Sequence, residues 1–175
     1  VCVYLVDSGS SDGTPHAVKQ DLPDIHLIPV SDDLYWCGGM RIAYEHASRE
    51  KYDFYLWLND DSLLYPDALS RMLETYEQVK SSSAPDHIVV GSFCDPQTGE
   101  HTYGGVVRSN LRRLVKFTRV IPKDRPVECV TMNGNCVLVS QKAAGILGNL
   151  SPEFSHRMAD TDYGLRAGSH GIKIW

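Results

Sequence analysis

No apolar run in this sequence is long enough to cross a bilayer, and no stretch has the composition of a secretory leader. The five cysteines, Cys2, Cys37, Cys94, Cys129 and Cys136, form no CxxC pair, and their number is odd. That argues against a zinc site or a disulfide framework and predicts reduced thiols in a cytoplasmic setting. Basic residues are not in excess: 17 Lys and Arg stand against 22 Asp and Glu, a net charge of -5. Such a balance gives no basic face for nucleic acid. It still allows an anionic ligand, because a bound metal supplies positive charge locally. No GxxxxGK[ST] phosphate loop occurs, and there is neither an internal repeat nor a low-complexity tract.

What is present is the composition of an ordinary globular domain, 42% hydrophobic and 22% charged over 175 residues. The chain opens inside a strand-like run, Val1 to Val6, and closes inside another, Ile172-Lys173-Ile174-Trp175. Both ends predict a single domain, 1–175, cut from a longer protein.

Short apolar runs alternate with helical periodicity, the pattern of an α/β fold. Val1 to Val6 reads as a strand covered on both faces. It ends in Asp7-Ser8-Gly9-Ser10-Ser11-Asp12-Gly13-Thr14-Pro15, a loop in which Thr14 caps a helix starting at Pro15. Asp7 at the strand end suits hydrogen bonds from a base or sugar; a plain strand-to-helix turn uses the same residues. Ile25 to Val30 is a second strand. Gly38-Gly39 then precedes a helix over Met40 to Arg49, permitting close backbone approach to a ligand or simply a turn.

Tyr55-Leu56-Trp57-Leu58 ends abruptly in Asn59-Asp60-Asp61. Unpaired carboxylates are costly to bury, so both aspartates belong just past the strand end. There they suit a divalent metal with a phosphate on its far side, or else a capped turn. Pro66 to Lys80 is the clearest helix, with Leu69, Met72, Leu73, Tyr76 and Val79 as its core stripe. His87 to Ser92 is a strand. Thr102 to Val107 and Leu114 to Val120 form a hairpin around Arg112 and Arg113, which suit an anionic substrate or plain solvent. After Cys136 to Val139, Ser140 caps a short helix that stops at Gly148. Asp160 and Asp162 flank the start of a last helix running to about His170, with Gly171 as its stop; by capping rules Asp160 is its N-cap. His156 and His170 are candidate ligands or structural residues.

Four stretches in order resemble the inverting nucleotide-sugar glycosyltransferases of family 2, especially their rhamnosyltransferase-like members. They are Val6-Asp7-Ser8-Gly9-Ser10-Ser11-Asp12-Gly13-Thr14, Trp36-Cys37-Gly38-Gly39-Met40-Arg41, Leu56-Trp57-Leu58-Asn59-Asp60-Asp61, and Gly134 to Val139 followed by Asp160 to Ala167. The resemblance implies a GT-A (Rossmann-like) fold, with a mixed, mostly parallel central sheet flanked by helices and a small β-hairpin excursion. It implies that Asp7 and Ser8 hold the nucleobase end of a nucleotide-diphospho-sugar donor. Gly38, Gly39 and Arg41 would lie along that donor, with Asp60 on the ribose or supporting the metal. Asp61 would bind Mg2+ or Mn2+. Gly134 and Asn135 would face a glycan or lipid-linked acceptor, and Asp160 would be the general base. Asp162 and Arg166 would fix the last helix. It further implies polysaccharide or cell-envelope glycan synthesis at the inner face of the membrane, with peripheral attachment through regions outside these residues.

The sequence departs from the family pattern at Asn59, where many relatives carry Asp, and at Ala159, where relatives usually carry an acidic residue. Two other readings stand beside this one: a sugar-phosphate nucleotidyltransferase, and a non-catalytic nucleotide-sugar-binding module. The first would need a glycine-rich basic loop near its first strand, which is absent here.

Overall fold

The computed structural model describes residues 1–31, 34–80, 84, 86–109, 116–121 and 125–175. Arg112, Arg113 and the tip of their hairpin lie outside the described residues. The chain forms two units, Val1–Tyr52 with Asn149–Ala159, and Asp53–Gly148 with Asp160–Trp175.

In the first unit β1 (Tyr4–Asp7) pairs in parallel with β2 (His26–Pro29), with α1 (Thr14–Asp21) between them. The expected strand is shorter than its apolar run. Val1 and Val3 are exposed and lie outside β1, whose one partner among the described residues is β2. Helix α1 starts one residue earlier than predicted. Its cap is Gly13, at φ 93, and Thr14 hydrogen-bonds Asp12 through both its amide and its hydroxyl. Those bonds hold the Asp12 carboxyl below its usual range.

Helix α2 (Tyr35–Ala47) corrects a larger expectation. It begins before Gly38-Gly39, so the pair sits inside the helix and not ahead of it. A Cβ on Gly38 would come within 2.8 Å of the Leu34 Cβ, and one on Gly39 would lie 4.0 Å from Val6 of β1. Gly38 thus lets α2 close on its own entry, whereas a side chain at Gly39 would meet the neighbouring strand at ordinary contact distance; each glycine costs the helix about 1 kcal/mol relative to alanine.

The second unit is built on β3 (Phe54–Leu58), β4 (His87–Val90), β8 (Cys136–Ser140) and β9 (Lys173–Ile174), in the order β3-β8-β4-β9. Strands β3, β4 and β9 run one way; β8 lies reversed between β3 and β4. The sheet is therefore mixed and mostly parallel in strand direction, although β8 makes two of its ladders antiparallel. β8 is buried at all five residues, as a central strand covered on both faces must be.

The period of two then sorts the side chains. Phe54, Leu56, Cys136, Leu138 and Val89 meet Met72 and Tyr76 of α3 (Ala68–Val79) on one face. Trp57 turns to the other and packs edge-on against Tyr163 of α5 (Ala159–Ser169), ring centroids 4.7 Å apart. Burial pushes the Cys136 thiol up to about 11, so it stays a protonated core group. The predicted core stripe of α3 is narrower than its pattern: Met72, Tyr76 and Val79 are buried, but Leu69 and Leu73 are exposed.

Ser140 caps α4 (Gln141–Leu147) through its Oγ, which accepts from the Ala143 amide at 3.1 Å; the helix stops at Gly148, φ 67. Such a cap contributes about 1 kcal/mol. The expected hairpin is present as β5 (Gly105–Arg108) with β6 (Phe117–Arg119), and β7 (Thr131–Met132) pairs on the other side of β5. Asp95 closes a turn, its carboxylate accepting from the Gln97 and Thr98 amides.

His87 carries a pH consequence. It is 2% exposed, and its Nδ1 accepts from Trp175 Nε1 at 3.3 Å, so the ring is neutral. Burial lowers its pKa, partly opposed by Asp86 and Glu128 and reinforced by Lys173. Burial also lowers that of His101, helped by Arg119. A histidine depressed in the folded state binds fewer protons there than in the unfolded chain, so stability is full above about pH 6.5 and lost as pH falls below it. The thermal midpoint should therefore drop between pH 7.5 and 5.5, with a shallower slope in His87→Gln.

Candidate active site

Antiparallel pairing decides which residues share an end of the second unit's sheet. Leu58 at the end of β3 is opposite Cys136 at the start of β8. The ladder continues one step further, the Asn59 amide donating to the Asn135 carbonyl at 3.2 Å. Thus Asn59 and Asn135, far apart in sequence, are backbone neighbours. The Ser62 amide donates back to the Asn59 carbonyl, closing a turn with Asp60 and Asp61 at its centre. Both carboxylates are exposed there, as the cost of burying them requires.

Asp160 reaches the same end from α5. It is not the N-cap that capping rules predict: it lies one residue inside the helix, and the entry is made by Met158 at φ 72. Its Oδ2 accepts from the Gly134 amide at 3.0 Å, and its Oδ1 from the Thr161 amide at 2.7 Å. Gly134 is buried and Asn135 half-buried. Asp60, Asp61, Gly134, Asn135 and Asp160, widely scattered along the chain, therefore converge on one end of one sheet.

Helix α5 is fixed from several sides. Arg166 Nε donates to Asp162 Oδ2 at 2.9 Å, and its NH1 donates to the Leu147 carbonyl at the end of α4 at 2.7 Å. Ala159, Tyr163 and Ala167, four residues apart, are fully buried. Ala159 is fully buried, so a carboxylate at its position would need a buried partner.

In the first unit Asp7 is 9% exposed, and its Oδ1 accepts from the Ser10 amide at 3.3 Å. Gly9 follows at φ 76, a left-handed turn that glycine adopts freely. Ser8 lies on this exposed loop. Arg41 sits on α2 with its carbonyl accepting from Asn149 Nδ2 at 2.9 Å. Among the described residues its buried Nε has no hydrogen-bond partner, a cationic donor beside the two glycines. Of the candidate histidines, His156 packs on the Tyr35 ring at 5.3 Å and His170 is exposed.

The metal question turns on ligand count. Among the described residues no group of three or more His, Cys, Asp and Glu side chains could hold an ion. An all-protein cage is therefore not what these residues offer. Adjacent exposed carboxylates fit the other mode, in which one or two carboxylates share the ion with substrate phosphates.

Comparison with known families decides the class. The family model for glycosyl transferase family 2 matches residues 2–144, more than four-fifths of the chain. The chain belongs to glycosyl transferase family 2. It thus has the GT-A fold, and family 2 enzymes are generally dependent on a divalent metal. The match spans Asp7, Gly38, Gly39, Arg41, Asp60, Asp61, Gly134 and Asn135, and ends before Asp160. Two curated relatives cover that last stretch. Both are N-acetylglucosaminyl-diphospho-decaprenol L-rhamnosyltransferases of Mycobacterium tuberculosis, from strains CDC 1551 / Oshkosh and ATCC 25618 / H37Rv. Each is 26% identical over 192 residues, covering 98% of this chain and 62% of the relative. The chain therefore spans about three-fifths of the length of these rhamnosyltransferases. No helix among the described residues is long and apolar enough to cross a membrane.

Sequence reasoning missed Thr131 and Gly164, which meet where α5 packs on β7: Thr131 Oγ1 donates to the Thr161 carbonyl at 2.8 Å, and a Cβ on Gly164 would strike Thr131. A glycine inside a helical pattern signals close packing, but nothing local names its partner.

Proposed function

We propose that this chain is a catalytic glycosyltransferase domain, which transfers a sugar from a nucleotide-diphosphate donor to a hydroxyl of a lipid-linked glycan, with inversion, in cell-envelope synthesis. The observation that carries the proposal is the hydrogen bond from the Gly134 amide to Asp160, at the sheet end where the Asp60-Asp61 turn also lies. It orients one carboxylate oxygen and fixes the base beside the acceptor-side loop. The acceptor class follows the relatives' names, in which the sugar acceptor carries a diphospho-decaprenol lipid.

On this reading Asp160 takes the proton of the acceptor hydroxyl while that oxygen attacks the anomeric carbon. The bond from that carbon to the diphosphate oxygen breaks, and its electron pair leaves with the nucleoside diphosphate. Attack opposite the leaving group inverts the centre. Asp61, with Asp60 beside it, would hold Mg2+ or Mn2+, and an ion bound there would supply positive charge to stabilise the diphosphate leaving group. Asp7 and Ser8 contact the nucleobase end of the donor. Arg41 directs its buried Nε at donor oxygens, with Gly38 and Gly39 alongside. The domain works at the cytoplasmic face of the membrane.

Thermal unfolding of the intact protein with nucleotide-sugars, with and without Mn2+, tests the donor and metal together. One donor should raise the midpoint only when Mn2+ is present, and Asp61→Asn should remove that rise. Equal stabilisation without metal, or in Asp61→Asn, would place the ion elsewhere or nowhere.

A further inference from the structure

We infer that Thr131 is a positioning residue for Asp160, and that its hydroxyl sets the station of the base. The inference rests on the reading of Asp160 as base. Thr131 lies on β7, is fully buried, and is one of few buried polar residues among the described residues of the second unit. Its Oγ1 donates to the Thr161 carbonyl at 2.8 Å, in the first turn of α5 and one residue from Asp160.

A second observation concerns shape. Gly164 lies three residues after Thr161, on the same helix face. A Cβ there would fall 2.2 Å from Thr131 Oγ1 and 2.8 Å from both its Cα and Cβ. Thr131 thus sits in a notch that only glycine leaves open. The notch limits how far α5 can rise or rotate, and the hydroxyl bond selects one position within it.

The grip continues along the chain. Thr131 leads through Met132 and Asn133 to Gly134, whose amide holds Asp160 Oδ2. Asn133 is itself tied to Gly104, its amide donating to the Gly104 carbonyl at 3.0 Å and its Oδ1 accepting from the Gly104 amide at 3.4 Å. One four-residue segment, anchored in its middle, thus clasps the first turn of α5 at both its ends. If the Thr131 contact is lost, α5 can shift against the segment and the carboxylate leaves the Gly134 amide. A shift of about 1 Å at a reacting group can cost about a hundredfold in rate.

The test is steady-state kinetics on the intact protein with Thr131→Val, Thr131→Ala, Thr131→Ser and Asp160→Asn. Thr131→Val keeps the shape and removes the donor. It should lower kcat by about ten- to a hundredfold while donor KM stays within about twofold, because nothing that touches the donor has changed. Thr131→Ser keeps the hydroxyl and should recover most of kcat. Should Thr131→Val fail to fold, the comparison of Thr131→Ala with Thr131→Ser decides in the same way: a low Ala and a near-normal Ser support the inference. Wild-type kcat in the variants lacking the hydroxyl, with Asp160→Asn inactive, overturns it. So does a Ser variant as impaired as Val or Ala, which would make the loss one of methyl packing. Unchanged turnover in Asp160→Asn would instead refute the base itself, and the inference would fall with it.

Discussion

Asp160→Asn is expected to lower kcat by roughly a hundred- to ten-thousandfold, the range that general-base catalysis supplies. The substitution is nearly isosteric, and donor affinity should hold. The amide oxygen of the substituted side chain could still accept from the Thr161 amide, as Asp160 Oδ1 now does. Its NH2 group, however, would stand where Oδ2 accepts from Gly134 at 3.0 Å, and a donor cannot replace an acceptor there. The side chain would therefore lose its second anchor as well as its basicity. Two measurements keep these effects apart. Turnover of a competent donor–acceptor pair reports the chemistry, and thermal unfolding reports the lost hydrogen bond, worth about 1 kcal/mol net. A variant that keeps its turnover would show that another group takes the proton.

Gly164→Ala is expected to destabilise the second unit by about 1–3 kcal/mol or more, the range for overpacking a filled site. The size follows from what the new methyl would meet. Thr131 Oγ1, at 2.2 Å, could rotate away, but the Thr131 Cα, at 2.8 Å, is backbone and cannot. Either β7 or α5 must shift. Most Gly→Ala changes inside a helix stabilise it by up to about 1 kcal/mol, so the opposite sign here is diagnostic of contact. Gly168, on the same helix, has open space at its Cβ position and serves as the control: Gly168→Ala should be neutral or stabilising. Chemical denaturation of both variants decides the matter. Equal midpoints for the two would mean that α5 and β7 do not meet as closely as described. In a Thr131→Ala background the cost of Gly164→Ala should shrink without vanishing, since the Thr131 backbone remains.

Much of the local structure was legible because it depends on local chemistry. Ser140 and Gly148 bracket α4 by capping rules that need no tertiary context. The end of β3 at Asn59 follows from the cost of burying the two aspartates beyond it. The family, too, is visible in four short stretches, each weak alone and specific in order. Where the local reading failed, a neighbour had overruled it. Gly38-Gly39 resembles a loop ahead of a helix, yet α2 runs through both glycines, and at Gly38 the Leu34 Cβ leaves no room for a larger side chain. Leu69 and Leu73 share the periodicity of Met72 and Tyr76, but the sheet covers too narrow an arc of α3 to bury them.

The site divides along the same line. Its chemical groups could be read from the chain alone: two carboxylates at a strand end, a third at the start of a helix, a glycine-asparagine pair ahead of a central strand. None of these carries information about distance. Folding in three dimensions was needed to pair Asn59 with Asn135 across a ladder, to bring the Gly134 amide to Asp160, and to fit Thr131 into the notch at Gly164. The physical reason is that strand pairing and helix packing join residues by surface fit and hydrogen-bond direction, whatever their separation along the chain. β8 entered reversed between β3 and β4, and that one choice of direction set Gly134 and Asn135 beside the acidic turn.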